Sequence, residues 1–164
     1  MIGNDIVDLA LARKESNWKR NGYLNKIFTE QEQFLIKKAP DSELMVWNLW
    51  TRKEAAYKIF NRETGKRGFF PLLLKCIFED EKVGTVVILD KSYFTKTISQ
   101  DNAIYTIAVA QELDFIKIEN LNPETVTIVK KNSIPFLLDA ATVVEKPISI
   151  THHGNLWRGI MLSD

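Results

Sequence analysis

The chain has 164 residues, of which 45% are hydrophobic and 26% are charged, and its formal net charge is +1. This length predicts one domain, residues 1–164, with a sizeable core, and the composition excludes a disordered chain. The near-neutral charge gives no overall attraction to nucleic acid or to a membrane surface, and no apolar run is long enough to span a bilayer.

Two features bear on the cellular compartment. The N-terminus, "MIGNDIVDLA", lacks the basic start and apolar stretch of a signal peptide, so we expect a cytoplasmic protein. The single cysteine, Cys76, has no partner for an internal disulfide, and we expect a small buried side chain.

The first half of the chain has helical signals after an initial strand. Residues 2–9 are rich in β-branched and apolar side chains and predict a strand. A helical region follows, in which Thr29 and Glu32 have the spacing of a capping box. A second helix is expected to begin with Ser42 as its N-cap and to end at Gly65.

The second half changes to a period of two. Its predicted strands cover residues 72–78, 84–89, 93–99, 103–110, 126–130, 134–138, 148–153 and 157–162. Helices come early and strands late, so we predict an α+β fold in which the early helices pack on a mostly antiparallel sheet.

Asp5 is a carboxylate within the first predicted strand. It shares a strand face with Val7 and Leu9, because side chains alternate along a strand. A carboxylate among apolar neighbours needs a partner. A hydrogen bond to a helix N-terminus is the simpler partner, and a metal ion is the alternative.

Glu54 and Lys58 lie one turn apart on the second helix, and Trp50 lies one turn earlier. A solvent-exposed ion pair is the commonest meaning of this spacing. The chemical alternative makes Asp5 and Glu54 ligands of Mg²⁺, with Lys53 and Lys58 as cations for a phosphate ester. Sequence spacing alone does not show whether Asp5 and Glu54 meet.

Residues 52–67 contain six basic side chains and two acidic ones. Such a cluster is most often a solvated face, although phosphate groups or an acidic partner protein would also suit it.

Both histidines lie in "ISITHHGNLW". His152 and His153 point to opposite sides of a strand. We expect His152 on the inward face with Ile150, and His153 on the other face with Ser149 and Thr151. A structural histidine is the simpler interpretation, and a ligand contact is the alternative.

Four segments together resemble a known family. "IGNDIVDL", "KIFTEQE", "WTRKEAAYK" and "ISITHH" fall in the order found in the 4′-phosphopantetheinyl transferase superfamily, and they resemble most closely its holo-acyl-carrier-protein synthases. That family has an early Asp, a Lys-Glu-Ala helix with a Lys one turn later, and a C-terminal Ser-Ile-(Ser/Thr)-His strand. The matching positions are Asp5, residues 53–55, Lys58 and residues 149–152.

The chain also departs from the family pattern. Residues 69–110 have little counterpart in the short synthases and look like sheet of the longer, surfactin-type transferases. Val7 stands where the longer enzymes have an acidic residue, and Asp8 lies one position too far, on the opposite strand face. We therefore expect water to occupy the metal-coordination position that this acidic residue fills in the longer enzymes. The family's Gly-Thr-Gly after the Lys-bearing helix is replaced by "NRETGKRG".

The resemblance implies a transferase that moves the 4′-phosphopantetheine arm of coenzyme A onto a serine of an apo acyl or peptidyl carrier protein, as in fatty acid biosynthesis, and releases 3′,5′-ADP. It implies Mg²⁺ held by Asp5 and Glu54, with Glu54 also accepting the serine proton. Lys53 and Lys58 would contact phosphate groups, and His152 would hold the nucleotide end. The basic residues 52–67 would steer an acidic carrier protein.

The resemblance offers two precedents for assembly. The short synthases complete the coenzyme A pocket between subunits of a trimer, and the longer enzymes are monomers. One set of site motifs favours a homo-oligomer, a trimer, with a monomer as the alternative. Two rival functions are a non-catalytic module that binds coenzyme A or a carrier protein, and a structural protein whose charged helix faces solvent.

Overall fold

The computed structural model describes residues 1–139 and 144–163. Its helices are α1 (Leu9–Glu15), α2 (Tyr23–Ile27), α3 (Glu30–Lys38) and α4 (Ser42–Thr64), and a 3₁₀ helix spans Glu112–Lys117. Its strands are β1 (Ile2–Asp8), β2 (Lys75–Phe78), β3 (Val83–Ile88), β4 (Lys91–Gln100), β5 (Ala103–Val109), β6 (Ile118–Leu121), β7 (Ile128–Lys131), β8 (Ile134–Asp139), β9 (Val144–His153) and β10 (Leu156–Leu162). Over the described ranges, no helix combines the length and the apolar character that a bilayer span requires.

The strands form two five-stranded sheets, in the orders β1-β5-β4-β3-β2 and β6-β10-β9-β8-β7. The strand pairs found in these sheets are antiparallel. In the first sheet Asp5 lies opposite Thr106, and in the second His152 lies opposite Trp157. The predicted α+β class is confirmed by this arrangement of early helices and antiparallel sheets.

The helix ends follow local sequence signals with one difference. The capping box between Thr29 and Glu32 is formed at the start of α3, as predicted. The N-cap of α4 is Asp41 rather than Ser42. The Asp41 carboxylate accepts a hydrogen bond from the backbone N–H of Leu44, in the first turn of the helix, at 3.0 Å. Gly65 ends α4 in the left-handed region, with φ of 70°.

Helix α4 packs against the first sheet. Its fully buried apolar side chains are Val46, Leu49, Ala55, Ala56 and Ile59. Gly3 lets β1 approach this helix closely, because a Cβ atom there would collide with the carbonyl group of Ala55. Trp50 is half-buried, and its ring centroid lies 6.5 Å from that of Phe69, in keeping with a packing role.

The edge of β1 that does not pair with another strand is covered by side chains of β9. Backbone N–H groups of alternate β1 residues donate to side chains of alternate β9 residues, in the pairs Asn4–Ser149 (2.9 Å), Ile6–Thr151 (3.3 Å) and Asp8–His153 (2.8 Å). Buried N–H groups need acceptors, so these bonds hold the second sheet against the first. A small apolar cluster of Ile2, Val109 and Ile160 supports the same junction.

The basic segment 52–67 is not a continuous solvated face, which corrects the prediction from its charge count. The guanidinium group of Arg52 is buried and donates to the carbonyl oxygens of Asp80 at 2.9 Å and Val83 at 2.8 Å. These bonds tie α4 to the β2–β3 turn. Among the basic residues of this segment, Lys66 and Arg67 are exposed.

Lys53, which the resemblance placed at a phosphate group, lies in the core. Its side chain is fully buried, and its ammonium group is 2.7 Å from a carboxylate oxygen of Glu32. It also donates to the carbonyl oxygens of Ile27 at 3.1 Å and Pro71 at 2.8 Å. Its ammonium hydrogens have acceptors inside the core, and its side chain has no exposed surface that a phosphate could reach. The structure therefore places Lys53 in the core and not at Asp5 and Lys58.

This ion pair generates the first prediction. Lys53→Met leaves the Glu32 carboxylate buried without its cation, so the free energy of unfolding should fall by about 3–5 kcal/mol. Urea denaturation measures the loss. Lys66→Met is the control, because Lys66 is exposed and should change stability by less than about 0.5 kcal/mol. Similar losses in the two variants would contradict a core role for Lys53.

Candidate active site

The structure brings Asp5, Glu54 and Lys58 together at the junction of β1, α4 and β9. Asp5 faces α4 from β1, and Glu54 and Lys58 lie one turn apart on that helix. The Lys58 ammonium group is 3.5 Å from Asp5 Oδ1. It also donates to the backbone carbonyl oxygens of Asn4 at 2.6 Å and Ile150 at 3.2 Å. The partner that Asp5 needs is thus a lysine, and not the N-terminus of a helix.

The pKa of Glu54 is raised from its ordinary value of 4.5 to about 7. Burial is the main cause, the charge of Asp5 adds to it, and the charge of Lys58 partly opposes it. The pKa of Asp5 is also raised, because burial outweighs the stabilising effect of Lys58 and of a hydrogen bond from Thr151. Both carboxylates are therefore poorly compensated as anions, which is common at functional sites.

This donor set fits a divalent cation that substrate oxygens help to hold. Two nearby carboxylates attract a cation, and Mg²⁺ in phosphate-ester enzymes commonly takes one or two carboxylates plus phosphate oxygens and water. Within residues 1–139 and 144–163, no group of three or more His, Cys, Asp or Glu side chains could form a metal site by itself. Asp5 and Glu54 would therefore be the protein ligands.

Asp8 does not add a third carboxylate to this pair. It lies on the opposite face of β1, as expected, and its Oδ1 accepts a hydrogen bond from the backbone N–H of Leu11 at 3.1 Å. This bond makes Asp8 the N-cap of α1. The residue has a structural role at the end of the strand.

His152 is not brought to Asp5, Glu54 and Lys58. It is exposed, so the expectation of an inward-facing side chain is wrong. The inward face of β9 carries Ser149, Thr151 and His153, which bond to β1. The alternation of side chains correctly separated the two histidines, but it did not show which face meets the rest of the protein.

His153 is the histidine with a clear structural role. Its Nδ1 accepts the backbone hydrogen bond of Asp8 at 2.8 Å, and its Nε2 lies 3.7 Å from a carboxylate oxygen of Glu15. Thr151 is a polar side chain that sequence reasoning did not assign to the site. Its Oγ1 lies 3.0 Å from Asp5 Oδ1. The polar side chains at every second position of β9 were the signal that could have identified it.

A cleft of about 600 Å³ lies away from this site. It is lined by Pro40, Leu44 and Asn48 near the start of α4 and by Thr97 and Ile98 of β4. It contains neither of the paired carboxylates, so the chemistry proposed below does not use it.

Comparison with known proteins identifies the family of the chain and a similar fold. A family model for the 4′-phosphopantetheinyl transferase superfamily matches residues 1–122. The match includes Asp5, Glu54 and Lys58 and ends before β9. It also covers residues 69–110.

Among solved structures, the chain is similar to the holo-[acyl-carrier-protein] synthase of Thermotoga maritima. The TM-score is 0.51 and the sequence identity is 12%, over 79% of this chain and 76% of that one. At this identity the likeness shows a shared fold. No curated protein sequence matches the chain.

The electrostatics of Glu54 predict a pH-dependent stability. Because its folded pKa of about 7 lies above its ordinary value of 4.5, the folded state binds more protons between these pH values. The contribution of Glu54 to the free energy of unfolding therefore falls as pH rises through this window. Glu54→Gln removes the charge. The free energy of unfolding of the variant should therefore exceed that of the wild type by on the order of 2 kcal/mol at pH 8, and the two values should match near pH 4.5.

Urea denaturation from pH 4.5 to 8, without divalent cations, measures this difference. Glu43→Gln is the control for the loss of one negative charge on the same helix, where Glu43 forms a surface pair with Arg13. A stability gain in Glu54→Gln that stays constant with pH would contradict the raised pKa.

Proposed function

We propose that this chain, which belongs to the 4′-phosphopantetheinyl transferase superfamily, transfers the 4′-phosphopantetheine arm of coenzyme A to a serine of an apo acyl or peptidyl carrier protein. The observation that carries the proposal is the pair of poorly compensated carboxylates, Asp5 and Glu54, beside the Lys58 ammonium group. A purely structural helix face would not require two buried like charges to lie close together.

The reaction joins the serine oxygen to a phosphorus of the coenzyme A pyrophosphate and releases 3′,5′-ADP. The serine must lose its proton during attack, and Glu54 would be the residue that accepts it. The pKa of about 7 belongs to the cation-free carboxyl group, and a bound Mg²⁺ would lower it. Negative charge grows on the leaving phosphate. Lys58, whose side chain is 31% exposed, would stabilise that charge through space while its ammonium group stays bonded to the backbone of β1 and β9.

Mg²⁺ is the cofactor we propose, with Asp5 and Glu54 as its protein ligands. When bound, it would supply positive charge that neutralises the pyrophosphate oxygens. Asp5 would serve as a ligand alone, since the structure gives it no further acid–base task. Glu54 would be both a ligand and the residue nearest to the proton that leaves.

Carrier-protein binding would use a smaller basic surface than the sequence suggested. Arg52 and Lys53 are buried, so steering of an acidic partner would fall to the exposed Lys66 and Arg67 at the end of α4. The adjacent Phe69 is 69% exposed and would provide an apolar contact beside these charges.

The trimer stays a prediction, with the monomer as the alternative. Within one chain, β9 lies along β1 through the bond between Thr151 and Ile6. A subunit boundary is therefore not needed to bring the Ser-Ile-Thr-His segment near Asp5. An oligomer would instead bring a second chain against the exposed His152.

The transfer itself is tested by mass spectrometry of carrier proteins incubated with the enzyme, coenzyme A and Mg²⁺. The wild type should add one phosphopantetheine to a suitable apo carrier. Asp5→Asn and Glu54→Gln should each lower the rate by roughly 100-fold or more, since each removes a charge that would hold Mg²⁺ at the pyrophosphate. Both should also need more Mg²⁺ for half-maximal rate.

Asp41→Asn and Glu43→Gln are the matched controls for these two changes. Asparagine also serves as an N-cap, so Asp41→Asn should leave α4 intact. Binding of coenzyme A or a carrier without any transfer would favour the non-catalytic module. A wild-type dependence on Mg²⁺ in both site variants would refute the metal assignment.

The roles proposed for Lys58 and His152 predict opposite kinetic effects. Lys58→Ala should lower turnover more than coenzyme A affinity, because its contact strengthens as charge develops. His152→Ala should chiefly weaken coenzyme A binding. Calorimetric titration with coenzyme A separates the two, and unchanged affinity in the His152 variant would remove its role at the nucleotide end.

His153 cannot serve as a silent control for this experiment, because its bond to the Asp8 N–H is structural. Thermal unfolding of both variants is the better control. Lys58→Ala also loses bonds to two backbone carbonyl groups, so its kinetics must be measured below its own unfolding transition.

A further inference from the structure

The hydroxyl group of Thr151 links the backbone of β1 to the Asp5 carboxylate. Thr151 is 5% exposed, and its Oγ1 accepts a hydrogen bond from the backbone N–H of Ile6 at 3.3 Å. The same oxygen lies 3.0 Å from Asp5 Oδ1. A backbone N–H can only donate and an ionised carboxylate can only accept, so the hydroxyl group accepts from Ile6 and donates to Asp5.

Asp5 receives its two side-chain hydrogen bonds on one oxygen. The Thr151 hydroxyl and the Lys58 ammonium group, which is 3.5 Å away, both donate to Oδ1. Together they restrict rotation of the carboxylate. With these two side-chain bonds on Oδ1, Oδ2 would be the oxygen for a cation shared with Glu54.

We propose that Thr151 is a positioning residue that holds the Asp5 carboxylate for the divalent cation. The inference rests on the proposed function, because it takes Asp5 and Glu54 as the Mg²⁺ ligands. Groups that orient a metal ligand in this way commonly contribute about 10- to 100-fold in metal affinity.

The neighbouring β9 side chains have a different role. Ser149 exchanges hydrogen bonds with the backbone N–H and the side chain of Asn4, and His153 accepts from the backbone of Asp8. These two side chains fix the position of β9 along β1. Thr151 does the same through Ile6, and it is the member of this set that also donates to the Asp5 carboxylate.

The test measures Mg²⁺ binding directly, by calorimetry and by the rise in unfolding temperature, without coenzyme A and with it. Thr151→Val keeps the shape and removes the hydroxyl group, and Thr151→Ser keeps the hydroxyl group. Thr95→Val is the matched control, because Thr95 is a buried threonine of β4 whose hydroxyl donates to the carbonyl of Gly84 at 2.8 Å.

We expect the Mg²⁺ dissociation constant to rise by about 10-fold in Thr151→Val and to stay within about twofold of wild type in Thr151→Ser and Thr95→Val. Higher Mg²⁺ should restore much of the transfer rate of Thr151→Val, with the KM for coenzyme A unchanged. Thr151→Ala, which fits the same space, gives the same test if the valine variant does not fold.

Two results would overturn the positioning role. One is a folded Thr151→Val protein that binds Mg²⁺ like the wild type. The other is an equal loss of affinity in Thr151→Ser, which would assign the effect to the packing of the methyl group. A wild-type protein that binds no Mg²⁺ under either condition would instead refute the metal assignment of the proposed function, and the positioning role with it.

Discussion

The structure depends on how the free edge of β1 is satisfied. This strand carries Asp5, packs on α4 and pairs with β5 on one side only, so the N–H groups on its other edge need acceptors. Side chains of β9 supply them at every second residue. One set of hydrogen bonds therefore completes the first sheet, attaches the second sheet, and places the Thr151 hydroxyl and the Ile150 carbonyl beside Asp5 and Lys58. The candidate site lies where β1, α4 and β9 meet.

Neighbouring residues on α4 show how environment decides the role of a charge. Lys53 and Glu54 are adjacent in sequence but lie about 100° apart around the helix, since each turn has 3.6 residues. Lys53 enters the core and finds Glu32 and two carbonyl oxygens, so its charge is fully compensated. Glu54 faces Asp5, a like charge, and its pKa rises. The first arrangement stabilises a fold, and the second creates affinity for a cation or a proton.

Much of the local structure could be predicted from the sequence, because it depends on short-range rules. The capping box at Thr29, the end of α4 at Gly65 and the alternation of the strands need only local patterns. The prediction that Asp5 needs a partner was also sound. The direction of charged side chains was not predictable in the same way. A count of basic residues treats Arg52 and Lys66 alike, although the first binds carbonyl groups beneath α4 and the second is solvated. The inward face of β9 likewise depends on a contact between segments about 145 residues apart.

The small number of protein ligands has a consequence for how the proposed enzyme would work. Asp5 and Glu54 alone would hold Mg²⁺ loosely, because this ion needs six ligands and keeps water at the remaining positions. Pyrophosphate oxygens of coenzyme A would replace some of that water, so the cation and the substrate would each tighten the binding of the other by the same factor. The open side of the site, and the absence of a third carboxylate at Val7, then become useful features. They would keep the charge of the site incomplete until coenzyme A arrives.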